Sequence, residues 1–415
     1  MSEIKKIVTA YSGGLDTSCM IPWLSEAYGG AEIYGFTGDL GQGEDLSGIR
    51  EKAIRTGAVD CVVEDLQDEF VEDYILPAVH ASAVYEGMYP LHTALGRPLL
   101  AKKLVETARK FGATAVAHGC TGKGNDQVRF EVAIRALAPD LEIIAPLRTW
   151  DLLTREMEVE YALERKIPIP ITKAKPYSID QNLWGCAIEC GEMEDLWTEP
   201  PADAWRMTKD PSHAPRGSIE MVLGFEQGTP VSIDGRTMSP TALIKELNQV
   251  AGGFGVGRID MVENRVVGLK SREVYEAPGA SLIHMAHTEL ERICLDRATF
   301  NYKNKMSQDF ANVIYDGVWF SPLREAMQAF LEETQRTVTG EVRIRVSAGL
   351  ARITGRRSPY SLYDMGLATY SEGDTFDRTT AEGFMALYGL PYKTIAEVRR
   401  KAGQPLFVKR RPQSS

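Results

Sequence analysis

No stretch of this chain approaches the roughly 18 consecutive apolar residues that a membrane-spanning helix requires. Nor does a signal-peptide core fit between Met1-Ser2-Glu3-Ile4-Lys5-Lys6 and the polar Ser12-Gly13-Gly14. Cysteine is sparse: Cys19, Cys61, Cys120, Cys186, Cys190 and Cys294 are scattered through 415 residues with no CxxC pair. That excludes a disulfide-stapled fold and points to reduced thiols in a cytoplasmic protein. Metal-ligand clusters are equally scarce. Cys186 and Cys190 would share one helical face without a completing Cys or His, and His284 and His287 lack an intervening Glu and a third ligand. No metal site built by protein side chains alone is therefore expected. Positive charge is short as well. Lys and Arg number 47 against 57 Asp and Glu, a net charge of −10 that leaves no broad basic face for nucleic acid. Repeats and low-complexity tracts are missing.

What remains is an ordinary globular composition, 44% hydrophobic and 25% charged, in a chain long enough for two to three domains. Up to about residue 147, apolar runs at 7–11, 33–37, 61–63, 115–117 and 143–145 alternate with helical patterns. This predicts an α/β fold with a doubly wound parallel sheet whose strands are buried on both faces. Residues 19–27 and 99–111 carry helical spacing, and Gly112 stops the second. Pro168, Pro170 and Pro176 mark an extended connection. Beyond it, a Gly-containing turn between 219–225 and 230–234, and alternation of Val342, Ile344 and Val346 with Arg343, Arg345 and Ser347, predict antiparallel strands in an α+β region. A helix is expected near 379–400, and Lys409-Arg410-Arg411 reads as a frayed, solvated tail. The expected domains are 1–170, 171–365 and a C-terminal segment, 366–415.

The strongest local signal is Ala10-Tyr11-Ser12-Gly13-Gly14-Leu15-Asp16-Thr17-Ser18, set between a strand and a helix. A tight turn there aims backbone N–H groups and a helix N-terminus at one point, a geometry suited to phosphate. Gly13 and Gly14 remove obstructing Cβ atoms, while Ser12, Thr17 and Ser18 add hydroxyls. The run is neither a Walker A loop nor a dinucleotide fingerprint. An N-capped turn without a ligand is its plainest alternative. A second loop, Thr121 to Arg129, follows the strand at 115–117 and gathers a hydroxyl, an amide, a carboxylate and the cations Lys123 and Arg129. An α-amino acid needs such a mixture, an anion for its ammonium and a cationic fork for its carboxylate. A polar surface turn or a kinase-type loop would be the competing readings, and Gly124 stands where the latter needs Ser or Thr.

The Ser12 to Ser18 run resembles the pyrophosphate loop of the N-type ATP pyrophosphatases. Gly119-Cys120-Thr121-Gly122-Lys123-Gly124-Asn125-Asp126-Gln127-Val128-Arg129-Phe130-Glu131 and Gly257-Arg258-Ile259-Asp260-Met261-Val262-Glu263-Asn264-Arg265 narrow the resemblance to the argininosuccinate synthase family. Pro176-Tyr177-Ser178-Ile179-Asp180 and Lys270-Ser271-Arg272-Glu273-Val274-Tyr275-Glu276 agree in order and spacing, so the similarity runs from about residue 5 to 365. It implies a nucleotide-binding domain, a synthetase domain and a C-terminal oligomerisation segment. The implied reaction condenses citrulline with aspartate at the expense of ATP, releasing AMP and pyrophosphate through a citrullyl adenylate. It further implies Mg²⁺ on the triphosphate, a homotetramer, and Asp16 and Asp126 as the carboxylates nearest the reaction. ATP would contact Ala10, Tyr11, Ser12, Gly13, Gly14, Leu15, Asp16, Thr17, Ser18, Gly38, Ala117, His118 and Gly119. Thr121, Asn125 and Asp126 would hold aspartate, and Tyr89, Asn125, Arg129, Ser178, Glu263 and Tyr275 citrulline.

Three positions depart from the family pattern. Gly38 stands where alanine is common, and Ala94 and Ala187 stand where serines are common, which thins the polar lining of the citrulline site. Thr93 or water would have to compensate, and one neutral hydrogen bond is worth only about 0.5–1.5 kcal/mol. Tyr89 and Tyr275 read equally as core aromatics, and Glu263 as a surface strand carboxylate. A tRNA-modifying relative would need an RNA-binding appendage or a catalytic Cys pair, and an amidating one an N-terminal amidotransferase. A non-catalytic metabolite sensor would bind ATP and citrulline without turnover.

Overall fold

The protein is described here from a computed structural model covering residues 4–122, 124–168 and 177–406. Lys123, most of the proline-rich connection and the 409–411 cations named above lie outside these residues. The chain forms two compact units, Met1–Tyr360 and Ser361–Ser415.

The first unit opens with the expected parallel sheet. Strands β1 (Lys6–Ala10), β2 (Glu32–Asp39), β3 (Asp60–Asp65), β4 (Ala115–Ala117) and β5 (Glu142–Ile144) lie in the order β3-β2-β1-β4-β5, every pair parallel. Ile7, Val8 and Thr9 of β1 and all of β4 are buried, as expected for strands covered on both faces. Two helices are longer than the spacing suggested. Leu15–Ala27 starts directly at the Gly-Gly turn with Pro22 inside it, and His92–Phe111 starts seven residues before the apolar stripe and contains Pro98. Gly112 ends the latter in the left-handed region, φ 65°.

Among the described residues nine antiparallel strands follow: β6 (Ser178–Asn182), β7 (Gly185–Glu189), β8 (Ser218–Glu226), β9 (Thr229–Ile233), β10 (Arg236–Thr237), β11 (Arg258–Asn264), β12 (Lys270–Glu276), β13 (Gly340–Ser347) and β14 (Leu350–Arg357). They make two sheets, β10-β9-β8-β13-β14 and β11-β12-β7-β6. Gln227 and Gly228, both at positive φ, form the two-residue turn joining β8 to β9. In the four-stranded sheet Tyr275 pairs with Ala187 and Ala187 with Asp180, so these three side chains share one face with their alternate neighbours Glu273, Glu189 and Ser178. Cys186 is buried on β7 and Cys190 is exposed just beyond it, so the shared helical face does not exist.

The core also holds an ionic network. Lys303 Nζ lies 2.8 Å from Glu291 Oε1, with both side chains fully buried. His287, on the helix Pro278–Cys294, bonds Ser82 Oγ and Gln335 Oε1. His284 packs edge-on to Trp184. In the second unit the helix Thr380–Lys401 exposes Phe384, Leu387, Tyr388, Ile395 and Val398.

A buried carboxylate stripped of its cation is costly, so Lys303→Met is expected to lower the unfolding free energy by about 3–5 kcal/mol. The double variant Lys303→Met/Glu291→Leu is expected to recover most of the loss. Urea unfolding of the three proteins checks both.

Candidate active site

The strand order reverses between β1 and β4, because the chain builds outward through β2 and β3 before returning to the other side of β1. Open parallel sheets bind ligands at such a switch, outside the carboxyl ends of the strands. A cavity of about 570 Å³ lies there, walled by the loops after β1 and β4, one stripe of the helix His92–Phe111, and the four-stranded sheet.

At the β1 end Gly13 has φ 75°, a conformation that needs glycine, and Ser12 Oγ accepts from Gly14 N and lies 3.1 Å from Thr17 Oγ1. Helix Leu15–Ala27 has no side-chain cap at Gly14. Its first N–H groups are thus available to an anion, with the positive end of the helix dipole behind them. Asp16 lies against Glu158. Burial, then the charge and hydrogen bond of Asp16, push the Glu158 carboxyl up to about 8.

At the β4 end the helix Asp126–Leu137 begins, and Asp126 is gripped from two sides. Arg97 Nε donates to its Oδ2 at 2.9 Å and Arg129 to its Oδ1 at 3.0 Å, while Arg97 also donates to Asp180 on β6. Burial by itself would raise the Asp126 pKa, but the two guanidinium charges outweigh it and hold the carboxyl below its usual range. Asp180, with Asp126 nearby, is pushed up by burial despite Arg97. Asn125 is engaged at both ends of its amide: Oδ1 accepts from Val266 N at 3.0 Å, and Nδ2 donates to the Tyr315 hydroxyl at 2.8 Å.

Beyond Arg129 the wall is aromatic. Tyr89 stacks on Tyr275 at 4.2 Å and Tyr85 on Tyr315 at 3.6 Å. The hydroxyls of Tyr275 and Tyr315 both donate to Glu263, at 2.6 and 2.5 Å. Arg129 sits 4.9 Å over the Tyr315 ring and donates to its carbonyl. Glu263 is 2% exposed, which removes the surface-carboxylate reading. Burial depresses the His92 imidazole to about 3; it packs edge-on against Tyr89 and Tyr275.

The cavity wall brings together Ala10, Tyr11, Ser12, Thr17, Gly38, His118, Gly119, Thr121, Asn125, Asp126, Tyr89, Arg129, Ser178, Glu263 and Tyr275. Gly13, Gly14, Leu15, Asp16, Ser18 and Ala117 are not on it. Ser18 is fully buried with its hydroxyl 3.3 Å from that of Tyr11, so it does not serve as the loop donor the sequence suggested. Ala117 is covered inside β4. A Cβ at Gly38 would come within 2.8 Å of Leu66 and 2.7 Å of Leu100, which accounts for glycine there. Ala187 faces the cavity, whereas Ala94 is packed in the core. Sequence reading missed Tyr315, Tyr85, Arg97 and Asp180. Tyr315 ends the helix Arg297–Tyr315 with no motif around it, and Arg97 lies in the part of helix His92–Phe111 that precedes the helical spacing at 99–111.

Two protein-family models match, Arginosuccinate synthase N-terminal HUP domain over residues 6–168 and Arginosuccinate synthase C-terminal domain over residues 177–395. An argininosuccinate synthase from Chlorobium phaeobacteroides is 55% identical over 394 residues, 95% of this chain and 98% of that protein. One from Chlorobaculum tepidum is 54% identical over 396 residues, 95% and 99%. Among solved structures, the U34-tRNA thiolase NcsA from Methanococcus maripaludis aligns at 16% identity and TM-score 0.26 over 42% of this chain and 61% of that one, too little to bear on the fold. The extent and identity of the two argininosuccinate synthases, with both family models in register, place the chain in the argininosuccinate synthase family.

Proposed function

We propose that the protein is a C–N ligase of arginine biosynthesis that condenses L-citrulline with L-aspartate, using ATP and releasing AMP and pyrophosphate. The observation that carries this reading is one cavity joining an uncapped helix N-terminus behind a Gly-Gly turn to a charged and aromatic amino-acid lining. ATP lies along Ala10 to Thr17, Gly38, His118 and Gly119, its phosphates toward the start of helix Leu15–Ala27. Thr121, Asn125 and Asp126 hold aspartate. Tyr89, Asn125, Arg129, Ser178, Glu263 and Tyr275 surround citrulline.

The ureido oxygen of citrulline attacks the α-phosphorus and pyrophosphate leaves; the aspartate amine then attacks the activated ureido carbon and displaces AMP. The protein's part is positioning and charge stabilisation, with no covalent nucleophile. Asp126, charged and fixed by two arginines, presents its outer lone pairs to an ammonium. Mg²⁺ enters with ATP as part of the substrate and neutralises the departing pyrophosphate. Asp16, in the first turn of the loop helix, is the one carboxylate of the Ala10 to Ser18 run, but it lies off the cavity wall against Glu158. The protein works in the cytoplasm as a homotetramer, a reading supported by the exposed apolar side chains of helix Thr380–Lys401.

AMP and pyrophosphate release is expected only when citrulline and aspartate are both added to complete the turnover; formation of ADP would refute the assignment. Replacing Asp126 by Asn should lower kcat/KM by about 100-fold, since Arg129 loses its counter-charge and Arg97 one of its two, with steady-state kinetics as the measurement. Tyr315→Phe removes the hydroxyl shared by Asn125 and Glu263. It should raise the citrulline KM about three- to tenfold while leaving the ATP KM within twofold.

A further inference from the structure

Thr93 lines the cavity. It is the second residue of the helix His92–Phe111, and helical spacing puts Thr93, Arg97 and Leu100 in one stripe, all three of which wall the cavity. Ala94, one residue on and about 100° around the helix, is fully buried and outside that wall. Thr93 is 8% exposed; its Oγ1 lies beside the Tyr89 hydroxyl but makes no hydrogen bond of good geometry among the described residues. A threonine deeper in a helix returns its hydroxyl to a carbonyl of the preceding turn. Here the helix has only just begun, and Leu91 before it sits at φ 68°, so no such turn exists. The backbone, by contrast, is anchored: Thr93 N donates to the Tyr89 hydroxyl at 3.0 Å, and Asn182 Nδ2 donates to the carbonyl of His92 at 2.8 Å. The hydroxyl is thus held on a rigid element just behind the cavity surface beside Tyr89, without a well-formed hydrogen bond of its own among the described residues.

We propose that Thr93 is a substrate-binding residue whose hydroxyl hydrogen-bonds the ureido group of citrulline, a contact that the methyl group of Ala94 cannot make. This rests on placing citrulline at the Tyr89, Arg129 and Glu263 end of the cavity. The chemistry selects the ureido group. It is uncharged and both donates and accepts, as a hydroxyl does, whereas the charged ends of the amino acid find better partners in Arg129 and Glu263.

The test compares the unaltered protein with Thr93→Val, which keeps the branched shape and removes the hydroxyl, and with Thr93→Ser, which keeps the hydroxyl. Thr93→Val is expected to raise the citrulline KM about three- to tenfold, with the KM for ATP and aspartate and the melting temperature unchanged. Thr93→Ser should recover most of that loss. An unchanged citrulline KM in Thr93→Val overturns the proposal. So does an equal rise in all three KM values with a lowered melting temperature, which marks a packing role. Calorimetric titration of citrulline onto each protein with a non-hydrolysable ATP analogue gives a readout independent of turnover. The same weakening is expected there, and equal affinity overturns the assignment of Thr93 alone. An unaltered protein that neither binds citrulline nor releases AMP overturns the proposed function together with it.

Discussion

Asp126 held between Arg97 and Arg129 is the interaction on which the cavity depends. Arg97 comes from the helix His92–Phe111, Arg129 from the helix that Asp126 itself begins, and Arg97 continues to Asp180 on the four-stranded sheet. One charged chain thus ties the parallel sheet's second loop to a sheet built from residues far along the sequence. Charges this poorly solvated are stable only when paired and hydrogen-bonded. The positions of the three groups are therefore mutually dependent, and the amino-acid end of the cavity takes its shape from them.

That pairing also changes how an acidic protein receives anionic substrates. With a net charge of −10, the long-range field does not draw ATP or aspartate in. Local cations were the obvious remedy, yet Arg97, Arg129 and Arg265 on the wall are matched by Asp126, Asp180, Glu189 and Glu273. At the β1 end the groups on hand are turn amides, Ser12 and Thr17 hydroxyls and an uncapped helix N-terminus, with the Lys52 ammonium bonded to the Gly13 carbonyl. The neutral donors among them are preorganised and carry no counter-charge that a ligand must displace.

The tyrosines do for the other end what the arginines do for the middle. Glu263 would be an uncompensated buried anion were it not for two phenol donors, and those phenols are held in place by stacking on Tyr89 and Tyr85. Asn125 joins this aromatic group to the Arg–Asp chain through the Tyr315 hydroxyl. The network is continuous from β6 to the helix Arg297–Tyr315.

Much of this was legible in the order of residues. The five parallel strands stand out because strands buried on both faces are unbroken apolar runs, and the Gly-Gly turn stands out because few residues tolerate its backbone. Both loops could be placed at strand ends on the same grounds, and quoted motifs carried the family. The extent of the helices was not legible: His92 and Pro98 show no helical signal, and packing alone draws them in. Nor was the engagement of Tyr315, Tyr85 and Asp180, because side chains as far apart as Arg97 and Asp180, 83 residues, or Asn125 and Tyr315, 190 residues, meet only when sheets and helices are assembled. Local pattern records what a residue's neighbours in the chain require of it. Which of Thr93 and Ala94 faces the ligand, whether Ser18 turns inward, and which charges cancel depend on helix rotation and packing against distant elements, and adjacent residues carry no trace of those.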